Sequence, residues 1–277
     1  NFIYNYKDKE LPMPIEQIFI LSFVQGLTEF FPVSSSMHLN ILHLMSNWDD
    51  QGPLMDLSLH VGSLCAVIVC LKKNILSLSV KNNSSKIDSI STYKYFYIIL
   101  IASIPTLIIG FILVKTGYID KLRDNLELIG WVNLIFALLL LLSDRNYFHK
   151  NENIIKSKHF FIIGLFQILS LIPGVSRSGI CYTTSRAMGL NRIVSAKIAI
   201  VMSLPIILSA GLYMATKLMQ TNDMVFIFHI ILALLLSFLF SLYSIRIILS
   251  IIEKFNVIPF VIYRIAISLV IFYTIYT

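Results

Sequence analysis

The sequence contains six apolar runs, and each is about 18 residues long or longer. They cover residues 54–71, 93–114, 126–143, 193–215, 225–252 and 257–276. Because a helix rises about 1.5 Å per residue, a run of this length crosses the roughly 30 Å of hydrocarbon in a bilayer. Hydrophobic residues make up 57% of the 277 positions and charged residues only 13%. The sequence therefore predicts an all-α polytopic membrane protein with six transmembrane helices.

Two further apolar segments are shorter and are broken by proline. Residues 15–31 end at Pro32 and a run of serines, and residues 160–172 end at Pro173. A short helix is predicted after each break: one over 36–46, and one that runs from the second break to about residue 188. Irregular backbone at membrane depth is tolerated only where protein buries it or where it lines a wet cavity. We therefore expect two re-entrant helical hairpins.

The two hairpins belong to an internal repeat. Five identities recur at one constant offset: Gln25 with Gln167, Leu27 with Leu169, Val33 with Val175, Ser34 with Ser176, and Ser36 with Ser178. Each half is one hairpin plus three spans, so the second hairpin is expected to start from the opposite membrane face. The sequence predicts a single domain over 1–277 built as an inverted repeat, about 15–143 and 159–276, with its site where the hairpins meet.

The positive charge is concentrated in short loops. The net charge is +7, and the loops 72–92, 144–158 and 251–256 carry many of the lysines and arginines. Short loops rich in Lys and Arg usually remain in the cytoplasm. The first hairpin and both termini would then open on the other side. This distribution reflects topology, so we expect no nucleic-acid partner.

The first hairpin carries a carboxylate, Glu29, inside an apolar segment. Ionisable groups at membrane depth are costly and mark functional sites by default. Glu29 needs a partner, which could be Arg177, a metal ion or a proton; a neutral structural carboxylate is the alternative. Gln25 lies four residues earlier on the same helical face. The two side chains could jointly hold a cation or a water molecule.

A serine and a histidine follow at the hairpin tip. Ser35 and His38 are three residues apart and share a helical face, as a nucleophile or proton donor and its partner would. The alternatives are that Ser34, Ser35 and Ser36 only cap a helix and that His38 is a buried histidine without a catalytic role. Both interpretations remain open from the residues alone.

The second tip presents Arg177 between Ser176 and Ser178 at the start of a helix. Free N–H groups at a helix N-terminus attract anions, and the guanidinium fork matches phosphate oxygens. We expect Arg177 to hold phosphate; the alternative is an arginine that snorkels to the membrane surface. Arg264, in the last span, could reach the same cavity or form a structural ion pair.

One more pair lies at the outward end of the first span. Asp56 and His60 are four residues apart, so they could extend the site or bind a cation, although solvation of a helix end is an equal alternative. Phenylalanine and tyrosine are scattered along the spans and indicate packing and interface anchors. No nucleotide-binding glycine loop or HExxH zinc motif occurs.

The two tips together resemble the signatures of undecaprenyl-diphosphate phosphatase, the bacitracin-resistance type of integral membrane enzyme. The matching segments are QGLTEFFPVSS at 25–35 with His38 after it, and PGVSRSG at 173–179. DLSLHVG at 56–62 and IPFVIYR at 258–264 are also similar. The resemblance implies removal of the terminal phosphate of undecaprenyl diphosphate at the outer side of the bacterial inner membrane, which recycles the lipid carrier for cell-wall synthesis.

The resemblance also implies roles for individual residues and a divalent cation, Mg²⁺ or Ca²⁺. Gln25 stands where many members carry Glu, which removes a charge from the expected metal site with Glu29, and Met37 replaces a usually small residue. The positions that correspond to the family's functional residues are Gln25 and Glu29 (acidic pair), Ser34 and Ser35 (serine pair), His38 (catalytic histidine), and Ser176 and Arg177 (second motif).

The mechanism expected from these residues is attack of Ser35 or His38 on the terminal phosphorus, with Arg177 holding the phosphate oxygens. The expected partners are a long-chain prenyl diphosphate and the membrane, with a homodimer left open. A prenyl-phosphate flippase or secondary transporter is the alternative function, since inverted repeats and broken helices are typical of transporters.

Overall fold

The structure is a computed structural model that describes residues 13–46, 48–72, 80–81, 87–88, 92–123, 125–145 and 155–277. It is almost entirely helical, with one antiparallel pair of two-residue strands between α3 and α4. The elements in chain order are α1 Ile15–Thr28, α2 Ser35–Ser46, α3 Gly52–Lys72, β1 Val80–Lys81, β2 Ile87–Asp88, α4 Thr92–Lys115, α5 Tyr118–Arg123, α6 Leu126–Asp144, α7 Ser157–Gln167, a 3₁₀ turn Ile168–Leu171, α8 Arg177–Ala187, α9 Arg192–Val201, α10 Ser203–Leu218, α11 Met224–Phe255 and α12 Ile258–Tyr276.

Six helical segments are long and apolar enough to cross a membrane, which confirms the predicted all-α polytopic class. They are α3, residues 96–115 of α4, α6, α9 together with α10, α11, and α12. Their outward faces carry large apolar side chains, such as Phe111 at 69% exposure and Leu239 at 58%. Such faces suit contact with lipid rather than water.

Two details differ from the sequence prediction. The run predicted over 193–215 is two helices, because Pro205 has no N–H to bond the carbonyl of Val201 and the helix restarts just before it. The short helix α5 was not predicted, since its six residues mix apolar and charged side chains and give no hydropathy signal. Neither difference changes the number of spans.

The two broken helix pairs, α1 with α2 and α7 with α8, have the same local geometry. Ser34 has φ 68° and Ser176 has φ 71°, and each directly precedes the second helix of its pair. Left-handed φ is uncommon for a residue with a side chain and is often found at functional sites. The two serines stand in register in the proposed repeat. The opposite orientation of the two halves, their boundaries and the re-entrant placement of the hairpins remain predictions.

Helices from one half pack on helices of the other half. Helix α11 packs on α1 and α3, α4 packs on α7, and α6 packs on α12. Small residues allow these close approaches: an added Cβ at Gly62 would lie 2.3 Å from the carbonyl oxygen of Leu234. Ser241 Oγ donates to Ser63 Oγ at 2.9 Å between α11 and α3. Small residues and interhelical hydrogen bonds are common in membrane helix packing.

Gly164 offers a direct test of this packing. A Cβ there would lie 2.1 Å from the carbonyl oxygen of Ala102 on α4, so Gly164→Ala is expected to force α4 and α7 apart and to destabilise the protein by about 1–3 kcal/mol or more. Gly110→Ala is the control, because its nearest neighbour would be Leu171 Cδ2 at 3.4 Å. Thermal unfolding in detergent measures both; equal midpoints would contradict the packing.

The basic loops that predict the orientation lie mainly outside the described residues, in 73–79, 82–86, 89–91 and 146–154. The predicted orientation in the membrane therefore stays a prediction.

Candidate active site

The tips of the two broken helix pairs meet in the interior. Ser178 Oγ, in the second tip, donates to the carbonyl oxygen of Phe31 in the first at 2.7 Å. Arg264 on α12 donates to both tips, from Nη1 to Pro32 O at 3.1 Å and from Nη2 to Gly174 O at 2.8 Å. Residues about 140 positions apart in the repeat thus form one site at the junction.

Glu29 is the centre of this site and is only 4% exposed. Its Oε1 forms an ion pair with Arg177 Nη2 from the second tip. Its Oε2 accepts hydrogen bonds from Ser35 Oγ at 2.7 Å and from Gln25 Nε2 at 2.6 Å. Arg177 is thus the partner that a buried carboxylate requires, because unpaired burial of a charge is costly. The structure brings four of the predicted site residues together.

His60 joins this group from α3. Its Nδ1 lies 2.7 Å from Gln25 Nε2 and 3.1 Å from Glu29 Oε2. The amide N–H₂ has two protons, so it can donate one to the carboxylate and one to a bare Nδ1. This arrangement leaves Gln25 Oε1 buried and without a hydrogen-bond partner among the described residues. His60 thus helps to orient the Gln25 amide.

Asp56, the other member of the predicted pair, makes different contacts. Its Oδ2 pairs with Arg123 Nη2 of α5 at 2.9 Å, and its Oδ1 accepts from Gln51 Nε2 at 2.8 Å. The same Arg123 nitrogen donates to Asn40 Oδ1 on α2 at 3.2 Å. Asp56 and Arg123 thus connect the start of α3 with α5 and with the middle of α2, one turn away from His60.

Both ring nitrogens of His38 have partners. Nδ1 lies 2.7 Å from the carbonyl oxygen of Ser34, and Nε2 lies 2.7 Å from Tyr263 Oη. His38 is outside the six candidate spans, and burial lowers its pKa from the usual value, more than the Ser34 hydrogen bond raises it. The imidazole is therefore held neutral near pH 7. Sequence reasoning missed Tyr263, whose only signal was its place beside Arg264 in a family-like segment.

The remaining serines shape the tips. Ser176 Oγ accepts from Gly179 N at 3.1 Å and so caps α8. Ser176 Oγ and Ser178 Oγ lie 3.1 Å apart, and the equivalent pair, Ser34 Oγ and Ser36 Oγ, lies 3.5 Å apart. Among these four serines, Ser36 is exposed and the other three are buried. Ser176 thus stabilises the start of α8, and Ser34 and Ser36 make the equivalent contact at the start of α2.

Arg264, expected to bind substrate or to form an ion pair, is fully buried and bonded to backbone. It is 0% exposed. Besides its bonds to Pro32 and Gly174, it donates to Asn133 O at 3.1 Å and to Val175 O at 3.3 Å. Its guanidinium satisfies carbonyl groups where the helices break, which is the usual way for irregular backbone to persist in a membrane protein.

Glu29 and Gln25 offer a carboxylate and an amide oxygen, which are donors that Mg²⁺ accepts. No group of three or more His, Cys, Asp or Glu side chains that could hold a metal occurs among the described residues. Mg²⁺, however, is usually bound by one or two carboxylates together with substrate phosphates. Glu29 and the unpartnered Gln25 Oε1 suit that mode, in which the substrate completes the coordination.

Fold and site together define an α-helical integral membrane protein with a buried carboxylate, arginine and histidine at the junction of two broken helix pairs. Residues 18–270 match the family model described as bacitracin resistance protein BacA, and the chain belongs to this family. It is 39% identical to the undecaprenyl-diphosphatase of Pelagibacter ubique (strain HTCC1062) over 95% of this chain and 98% of that protein. It is 33% identical to the undecaprenyl-diphosphatase of Ruegeria sp. (strain TM1040), over 95% and 100% of the two chains.

Proposed function

We propose that this protein hydrolyses undecaprenyl diphosphate to undecaprenyl phosphate and inorganic phosphate. In a cell this reaction recycles the lipid carrier for cell-wall synthesis and confers resistance to bacitracin. The observation that carries the proposal is the ion pair of Glu29 with Arg177, which joins the two hairpins at a buried site. The names of the relatives, which align over nearly the whole chain, support the same substrate.

Arg177 and two helix starts bind the diphosphate in this proposal. The α2 and α8 helices begin at Ser35 and Arg177, where free N–H groups favour a phosphate. Arg177 Nε is buried and has no hydrogen-bond partner among the residues described, so it is a donor still available to a phosphate oxygen. Phosphoryl transfer depends mainly on such positioning and charge stabilisation.

Ser35 is the proposed nucleophile, because its hydroxyl already donates to Glu29 Oε2 at 2.7 Å. Glu29 takes the hydroxyl proton as Ser35 Oγ bonds to the terminal phosphorus and undecaprenyl phosphate leaves. Water then attacks the phosphoserine and gives a proton to His38 through the Tyr263 hydroxyl that is hydrogen-bonded to Nε2. Glu29 returns its proton to Ser35 as inorganic phosphate departs, and His38 releases its proton to solvent. A trapped phosphoserine at Ser35 supports this order; an acid-labile phosphohistidine at His38 contradicts it.

Phosphate release by purified protein in detergent tests the function. Undecaprenyl diphosphate is the substrate, and inorganic phosphate is measured without any membrane or gradient. Release that is lost in Glu29→Gln supports a phosphatase. No release from the wild-type protein, together with gradient-dependent movement of undecaprenyl phosphate in vesicles, would favour the flippase or transporter instead.

Glu29 and Gln25 are the residues proposed to hold Mg²⁺ or Ca²⁺ with the substrate. The cation would supply positive charge to the phosphate oxygens. Gln25→Glu adds a second carboxylate, so the cation concentration that gives half-maximal phosphate release is expected to fall about tenfold. Gln220→Glu, at an exposed position between α10 and α11, is the control for net charge. An unchanged cation dependence in Gln25→Glu would argue against this site.

We propose the bacterial inner membrane as the location, from the family to which the chain belongs, and a site that opens to the periplasm, from the charges of the loops. In a cysteine-free background, a membrane-impermeant maleimide should label Thr221→Cys, between α10 and α11, in intact cells. Lys254→Cys, near the other end of α11, should react only after lysis. The reverse pattern would invert the orientation. A homodimer stays a prediction.

A further inference from the structure

The contact between Tyr263 and His38 was not predicted from the sequence. The carbonyl oxygen of Ser34 can only accept a hydrogen bond, so the 2.7 Å contact with Nδ1 places the imidazole proton on Nδ1. Nε2 of the neutral ring is then bare. The Tyr263 hydroxyl, 2.7 Å from Nε2, is therefore the donor of that hydrogen bond.

The His38 ring is held at both of its nitrogens. The planes of the His38 and Tyr263 rings differ by only 3°, with centroids 5.5 Å apart. On the other side, the carbonyl group that accepts from Nδ1 belongs to Ser34, the residue with φ 68° that directly precedes α2. Rotation of the imidazole would break both hydrogen bonds at once.

Arg264, the next residue along α12, fixes the position of Tyr263. Arg264 is fully buried and donates to carbonyls of both hairpin tips, so α12 cannot slide or turn relative to His38 without losing those bonds. Tyr263 itself is 42% exposed, whereas His38 is 8% exposed. Tyr263 thus lies between His38 and the outer surface of the helix bundle.

We propose that Tyr263 positions His38 and connects it to the attacking water: its hydroxyl sets the tautomer and the direction of Nε2 and is the group through which a proton reaches that nitrogen. The proposal rests on the proposed function, in which the Tyr263 hydroxyl accepts the proton of the attacking water as it gives its own proton to Nε2. Ser35, by contrast, is oriented by Glu29. The formation of the phosphoserine, which uses Ser35, and its hydrolysis, which uses His38, therefore depend on side chains that are oriented by different contacts.

Tyr263→Phe removes the hydroxyl and keeps the ring. We expect kcat for phosphate release to fall about tenfold, because Nε2 loses the hydroxyl that directs it and through which the water proton reaches it, while KM changes less than about twofold. The control is Tyr273→Phe, at a 69% exposed position on the same helix, which should retain wild-type values. Equal kcat values in wild type and Tyr263→Phe would overturn the proposal.

A spectroscopic test does not depend on activity. In protein labelled with ¹⁵N-histidine, the His38 signals are found by comparison with His38→Gln among the six histidines. The wild type should show a protonated Nδ1 and a bare Nε2. In Tyr263→Phe the Nε2 resonance should move towards that of a bare nitrogen without a hydrogen bond. The opposite tautomer, or an unmoved Nε2 resonance, overturns the proposal even if the protein proves not to be a phosphatase.

Discussion

Arg177→Ala is expected to lower kcat/KM for phosphate release by about a thousandfold or more, the scale found when an arginine that stabilises a transferring phosphoryl group is removed. The variant loses both the contact with phosphate and the partner of Glu29, which is then buried without its counter-charge. Arg177→Lys keeps the charge but not the planar fork, so its activity should lie between the two. Phosphate release on undecaprenyl diphosphate in detergent measures all three proteins.

Two further proteins make this result specific. Arg246→Ala removes an arginine from an exposed position on α11 and should leave release unchanged. The double variant Arg177→Ala with Glu29→Gln should be little worse than either single variant, because residues that act as one unit are strongly non-additive. Full activity of Arg177→Ala would remove the ion pair from the mechanism, as would independent, multiplying losses in the double variant.

Arg264→Met should act on folding rather than on substrate binding. The side chain satisfies backbone carbonyls of Pro32, Asn133, Gly174 and Val175. Each buried acceptor left unsatisfied costs about 1–3 kcal/mol, so a loss of about 3 kcal/mol or more in the free energy of unfolding is expected. Unfolding in a denaturing detergent measures this, and activity should fall with the folded fraction.

Substrate binding, one of the two sequence-based alternatives for Arg264, predicts the opposite pattern. If Arg264 binds substrate, Arg264→Met would keep its unfolding midpoint and raise KM. Arg264→Lys is informative as well, because a single ammonium group cannot reach carbonyls on two hairpin tips and α6 together; it should be nearly as unstable as Arg264→Met. Arg246→Met, at the exposed position on α11, controls for the loss of an arginine.

Local sequence was enough to predict the six spans and the two broken segments, and it selected Glu29, His38 and Arg177 as candidate site residues. The reason is physical: a bilayer requires long apolar helices and penalises every charge and every free backbone group within them. An apolar run that contains proline, serines and a carboxylate is an exception to this rule, and it can be recognised from the amino-acid sequence alone. The constant offset between the two tips added that the two hairpins should meet, and the sequence left Arg177 as one of three possible partners for Glu29.

Only the tertiary structure decided which groups contact one another at the site. Ser35 donates to Glu29 and not to His38, its neighbour on the same helical face, and Tyr263 contacts His38 from 225 positions away. Arg264 likewise reaches Pro32 across 232 positions. These contacts depend on how α12 and the two hairpins are placed relative to one another. Hydropathy and spacing report the environment of a residue along its own helix, and they carry no information about the neighbour that another helix brings to it.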